Sequence, residues 1–219
     1  MVLLINPNSN PATTAMMHAL AQHQLTGHSL QLVSISAAGT PPMITHPVAL
    51  QESVGPVLTA VRGYLAGPRG HEVAAIIIGA MGDPGRAELA TELGIPVIGI
   101  GQAAILAAAS THRPFAMATS TPDLVSSLTD LVESHGCAEH FLGVELTSSC
   151  PLELATDPEA QFVQLRDAAR RGHGRGARAV IIAGGPLSET ARRIARGEDF
   201  EVIEPIPSAC RMMLRALDL

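Results

Sequence analysis

Short runs of branched apolar residues alternate with helix-length segments along the whole chain. In Ile76-Ile77-Ile78 and in Val180-Ile181-Ile182 every position is apolar, not every second one. A continuous run of that kind suits a parallel strand covered on both faces. The pattern predicts strands near residues 1–6, 30–36, 73–79, 96–100, 114–118, 141–144, 178–183 and 201–203. Between them it predicts helices near 10–24, 47–66, 84–93, 102–110, 121–135, 157–171, 187–196 and 207–217. Such alternation builds βαβ units. Their right-handed crossovers gather the loops that follow the strands at one end of a sheet.

The pattern also repeats. Val2-Leu3-Leu4-Ile5 leading into Asn6-Pro7-Asn8-Ser9 parallels Phe115-Ala116-Met117-Ala118 leading into Thr119-Ser120-Thr121-Pro122. The strands ending in glycine near 79 and 184 form a second pair at a similar offset. The expected fold class is therefore α/β, with two pseudo-symmetric halves, mainly parallel sheets and an active-site cleft between the halves. The first half is expected over 1–102, completed by the C-terminal helix at 207–219, and the second over 103–206. Arg171-Gly172-His173-Gly174-Arg175-Gly176 reads as a surface loop after a helix, from its glycines and charge.

Composition narrows the function. At 219 residues the chain has ample length for a buried core. It has one Tyr, no Trp and a formal net charge of −6. It therefore lacks the stacking platforms and basic runs of a nucleic-acid binder. No apolar stretch approaches the ~20 residues needed to cross a bilayer. Three cysteines do not make a disulfide framework, and the expected location is the cytoplasm.

The candidate chemistry lies in the turns after four strands. Asn6-Pro7-Asn8-Ser9-Asn10-Pro11 offers side chains that cap backbone N–H groups, and those donors also suit an anion. Thr119-Ser120-Thr121-Pro122-Asp123 offers hydroxyls at a helix start, where a carboxylate or an imide or ureide carbonyl would be received. In Gly79-Ala80-Met81-Gly82-Asp83-Pro84-Gly85, glycines 79 and 82 let a ligand approach the backbone. Asp83 reads first as a helix N-cap and second as a ligand-facing acceptor. In Ala183-Gly184-Gly185-Pro186-Leu187-Ser188-Glu189, Gly184 and Gly185 form a backbone-lined floor able to donate N–H groups to developing negative charge. Glu189 reads as a first-turn surface carboxylate. His135-Gly136-Cys137-Ala138-Glu139-His140 lacks the paired spacing of zinc sites. Cys150 falls in a loop, and Cys210 reads as a small core residue.

These segments together resemble the aspartate/glutamate/hydantoin racemase superfamily. The resemblance implies that Asn8 helps hold the substrate. It also implies a cysteine at each of two strand ends, paired as acid and base. Here those positions are Ala80 and Gly184, neither of which can carry a proton. Loops of the family after the second strand border the substrate, which makes His46 a candidate replacement proton carrier, since imidazoles titrate near neutrality. Asp83 and Glu189 are the other catalytic candidates. Asn8, Ala80, Met81, Gly82, Thr119, Ser120, Thr121, Gly184 and Gly185 are the substrate-binding candidates.

Three functions follow from the resemblance and its departure. One is an enzyme diverged to isomerisation, elimination, decarboxylation or ring chemistry on a small carboxylate, hydantoin or related amide. The others are an orthodox hydantoin or amino-acid racemase using unexpected residues, and a small-molecule binding protein without turnover. No Walker loop, dinucleotide fingerprint or His-Glu-x-x-His is present, so neither a cofactor nor a metal is expected. The expected partners are a small-molecule substrate and further copies of the chain in a homo-oligomer, with no nucleic acid and no membrane.

Overall fold

A computed structural model describes all 219 residues. The chain folds as two compact units, Met1–Ile100 with Ile206–Leu219, and Gly101–Pro205. The first unit runs β1 (Val2–Asn6), α1 (Pro11–Gln24), β2 (Leu32–Ser36), α2 (Pro47–Glu52), α3 (Val54–Leu65), β3 (Ala75–Ile78), α4 (Arg86–Glu92) and β4 (Val97–Gly99). Next come α5 (Ile100–Ala108), β5 (Phe115–Thr119), α6 (Val125–Ser134), β6 (Phe141–Leu146), α7 (Pro151–Leu154), α8 (Pro158–Gly174), β7 (Ala179–Ile182), α9 (Ser188–Ala195) and β8 (Glu201–Ile203). The last helix, α10 (Pro205–Ala216), returns the chain to the first unit.

Each unit holds one four-stranded sheet, ordered β2-β1-β3-β4 in the first and β6-β5-β7-β8 in the second. Every pairing is parallel. The two orders are the same with an offset of four strands, so the repeat in the sequence is a repeat of topology. β1 corresponds to β5, and β3 to β7. The central strands carry the continuous apolar runs and are buried at every position, whereas the edge strands β2 and β6 are largely half-buried. Branched side chains on both faces of the central strands pack under helices. In the first unit Leu3, Ile5, Ile76 and Ile78 meet Val57 and Val61 of α3. In the second, Val180 and Ile182 meet Leu165, Ala168 and Ala169 of α8.

Four local expectations change. The helix expected over 47–66 is two helices that meet at Ser53. Pro56 has no N–H to give the carbonyl four residues back, so the hydrogen-bond ladder cannot run through. The glycine-rich stretch expected as a loop instead continues α8 to Gly174. Gly172 is buried, and a Cβ there would lie 3.0 Å from Cβ of Ala116 on β5. Arg171 and Arg175 both grip Glu145 on β6 and also bond to the carbonyls of Leu146 and Leu142. Packing and charge therefore hold the helix where propensity would end it. The short helix α7 was not anticipated, because four residues are too few to show a period. Asp83 does not cap α4, whose N-cap is Gly85. No helix is long and apolar enough to cross a membrane.

Candidate functional site

In each sheet the first strand sends its chain to one side and the third strand starts the other side. The order therefore reverses between β1 and β3, and between β5 and β7. Loops after strands diverge at such a point and leave a crevice at the carboxyl ends, where ligands of open α/β sheets bind. The two turns flanking that point are Asn6–Asn10 and 80–85 in the first unit, and Thr119–Thr121 and 184–187 in the second.

After β1 an asparagine network shapes the turn. Asn10 is the N-cap of α1, its side chain accepting from the N–H groups of Ala12 and Thr13. Asn8 is not a cap. Its Oδ1 accepts from Nδ2 of Asn6 at 2.9 Å and from the Asn10 backbone N–H at 3.0 Å. The wholly buried Asn6 also donates to Thr14 Oγ1 at 2.8 Å, and Thr14 is joined to Ser36 at the end of β2 at 2.7 Å. The ring Nδ1 of His18 meets the Ser34 hydroxyl at 2.8 Å, and these residues of α1 and β2 line a hollow of about 380 Å³.

After β3 the chain passes close to β1. The N–H of Gly79 is already donated to the Ile5 carbonyl at 2.8 Å. A Cβ on Gly79 would lie 2.9 Å from that oxygen and 3.1 Å from the Met17 side chain. Gly79 therefore serves close packing and does not open the backbone to a ligand. Ala80 is half-buried and Met81 buried. Gly82 turns the chain at φ 98°, beside the Leu50 side chain. Asp83 follows with a positive φ of 48°. Its buried carboxylate lies against Gly99 at the head of α5, so closely that a Cβ on Gly99 would overlap it. Glycine is the residue that leaves room for this carboxylate.

The hydroxyl turn after β5 can be read proton by proton. Thr119 Oγ1 lies 2.8 Å from the Ala183 carbonyl, which can only accept, so the Thr119 hydrogen is spent there. Thr121 Oγ1 lies 3.0 Å from Thr119 Oγ1 and must therefore be the donor of that bond. The Thr121 hydroxyl is left with lone pairs alone. It caps no backbone N–H of the short helical turn that follows, so it is not spent as a helix cap. Thr119 ties the end of β5 to the end of β7, whereas Thr121 is half-buried and keeps acceptor capacity. Ser120 is buried. After β7, Gly184 is extended, and the atoms nearest to a Cβ there would be those of the Leu187 side chain, at 3.0 Å.

The remaining candidates lie elsewhere on these turns. His46 is exposed and is the N-cap of α2, its Nδ1 accepting from the Ala49 N–H at 3.2 Å. That bond requires an unprotonated Nδ1, so the neutral ring carries its hydrogen on Nε2. Glu189 is exposed in the first turn of α9. Neither Cys137 nor Cys210 is poised as a thiolate. Burial pushes the Cys137 thiol up, and burial, only partly offset by Arg211, pushes Cys210 to about 12. Cys150 is exposed in the loop after the edge strand β6. Asn6, Thr14 and Ser36 were missed as a unit in the sequence. The alternation of asparagines at 6, 8 and 10 was the available signal.

The sequence model of the family described as Asp/Glu/Hydantoin racemase matches residues 2–213. A protein named hydantoin racemase from Rhizobium meliloti is 31% identical over 211 residues, covering 95% of this chain and 85% of that protein. A solved allantoin racemase from Klebsiella pneumoniae has a similar structure, with a TM-score of 0.88 at 24% identity over 100% of this chain and 88% of that one. A glutamate racemase isoform from Bacillus anthracis gives a TM-score of 0.69 at 15% identity, over 100% of this chain and 81% of its own. Both solved structures share the two-sheet α/β fold.

Proposed function

Because the chain belongs to the Asp/Glu/Hydantoin racemase family, we propose that it is an enzyme acting on a small hydantoin, a related amide or a carboxylate, and that it moves a proton on that molecule without paired thiols. The observation that carries this reading is the pair Ala80 and Gly184. The turns around both positions keep the family's plan, while the atoms that would exchange protons there are absent. The name of the relative from Rhizobium meliloti supports hydantoins as the first compounds to test.

Racemisation takes a proton from one face of a carbon and returns one to the other face, so it needs two carriers. With a single carrier the proton goes back to the face it left. The reaction expected here is thus exchange of an acidic C–H with retention of configuration, or a lyase or isomerase step that begins with the same proton removal. His46, Asp83 and Glu189 are the residues to substitute first as the carrier.

A second reading is a binding protein without turnover. It is favoured by the placement of those three side chains, since His46 caps α2, Asp83 packs on Gly99 and Glu189 is exposed. One experiment separates the readings. Single enantiomers of 5-substituted hydantoins are incubated with the protein in D₂O, and mass and optical rotation are followed above the uncatalysed background. Deuterium at C5 with rotation retained supports single-carrier exchange. Deuterium with rotation lost indicates two-carrier racemisation. Saturable binding with no deuterium uptake would leave the second reading standing.

A further inference from the structure

We infer that Asn6 is a positioning residue that locks the Asn8 amide with its oxygen turned inward, so that Asn8 offers a ligand N–H donors only. The orientation of a side-chain amide follows from partners that can only donate or only accept. The backbone N–H of Asn8 lies 3.1 Å from one terminal atom of Asn6, and a backbone N–H only donates, so that atom is the oxygen. The other terminal atom of Asn6 is therefore nitrogen, with two hydrogens to place. It lies 2.9 Å from Asn8, 2.8 Å from Thr14 Oγ1 and 3.3 Å from the Asn10 carbonyl. The two short partners take one hydrogen each.

The Asn8 atom that receives the first of these hydrogens also receives the Asn10 backbone N–H at 3.0 Å. Two independent donors converge on it, so it is oxygen. The Asn8 NH₂ group must then face away from the network. No atom of the protein takes up that group, although Asn8 is only 5% exposed. An amide nitrogen that reaches the surface from a nearly buried residue, with both hydrogens unspent, is suited to an oxygen acceptor, either a ring carbonyl or a carboxylate oxygen. Asn6 is wholly buried and acts through Asn8, with Thr14 and Ser36 closing the chain behind it.

The ligand part of this inference rests on the functional reading above, whereas the orientation part does not. Asn6→Asp tests both. Its carboxylate still accepts the Asn8 N–H but can donate nothing, so it calls for a donor at the inward Asn8 atom while the Asn10 N–H still calls for an acceptor there, and the Asn8 amide loses its single orientation. Neutron diffraction from deuterium-exchanged, ligand-free crystals reads this directly. In the parent protein the two deuterons should sit on the Asn8 atom remote from the Asn10 N–H, and in Asn6→Asp the amide should be disordered. Should Asn6→Asp fail to fold, Thr14→Val removes one partner of Asn6 and should raise the mobility of the Asn8 amide. Deuterons on the inward atom of the parent, or an Asn8 unchanged in the variant that folds, would overturn the inference.

Titration with hydantoin reads the consequence. Asn6→Asp should weaken binding by about tenfold, the worth of one hydrogen bond to a buried group, and should have no further effect in an Asn8→Ala background. Equal losses in both backgrounds would show that Asn6 acts on the fold generally, and would overturn its positioning role. Absence of hydantoin binding to the parent would count against the functional reading, with the neutron result still deciding the orientation.

Discussion

Thr119 and Thr121 carry the same hydroxyl two residues apart, yet their hydrogens go to different places. Thr119 spends its hydrogen on the Ala183 carbonyl, and Thr121 spends its own on Thr119. Thr119→Val should therefore lower stability by ~1–3 kcal/mol, because it strands a buried carbonyl. Thr121→Val should leave the urea midpoint nearly unchanged and weaken hydantoin binding about fivefold, since a ligand N–H loses its acceptor. The reverse pattern, with Thr121 setting stability and Thr119 setting affinity, would contradict this assignment. The sequence showed three adjacent hydroxyl residues at a strand end but not which of them had a proton to give. That depends on a carbonyl 64 positions away in the chain. Asp83 was legible as a cap or a ligand-facing acceptor but not as the neighbour of Gly99, because that position lies on another strand end.

At the scale of elements, the strands were the most legible feature. Runs such as Ile76–Ile78 have no polar face to expose, and so they had to be central and covered. Helix ends were less legible, since α8 runs through two glycines that only its packing on Ala116 and Glu145 explains. Two element-scale tests follow. Gly79→Ala should cost ~1–3 kcal/mol, because the new methyl meets the Ile5 carbonyl and Met17 with little space to yield; thermal unfolding at neutral pH checks it. Glu145 is penalised by burial, but hydrogen bonds from Arg175 and Arg171 outweigh that and hold its carboxyl below the usual 4.5. A carboxyl held low in the folded state stabilises the protein above its unfolded value, and that contribution disappears as the pH falls toward the folded value. Unfolding midpoints should thus drop below about pH 4.5 more steeply in the parent than in Glu145→Gln. The variant should itself be about 1 kcal/mol less stable at pH 7. Parallel acid profiles for the two proteins would show that this cluster contributes nothing measurable.

Across the molecule, one strand order occurs twice, and in each sheet the turns of interest follow the two strands that flank the reversal of order. The family's plan was legible from the paired segments, because strand-to-turn patterns repeat in sequence as well as in space. The reaction was not legible, because the two positions that would declare it hold Ala80 and Gly184. Ala80 is half-buried, and the atoms nearest to a Cβ at Gly184 would be those of the Leu187 side chain, at 3.0 Å. The central claim is that proton transfer here proceeds without thiols, and it is tested most directly by a variant with Cys137, Cys150 and Cys210 all changed to Ala. Alanine is chosen because Cys210 is wholly buried and Cys137 nearly so, where a polar replacement would add an unpaired hydroxyl. Deuterium uptake at C5 of a 5-substituted hydantoin is then compared between the folded variant and the parent. Equal rates are the expected result; a folded variant that takes up no deuterium while the parent does would contradict the claim.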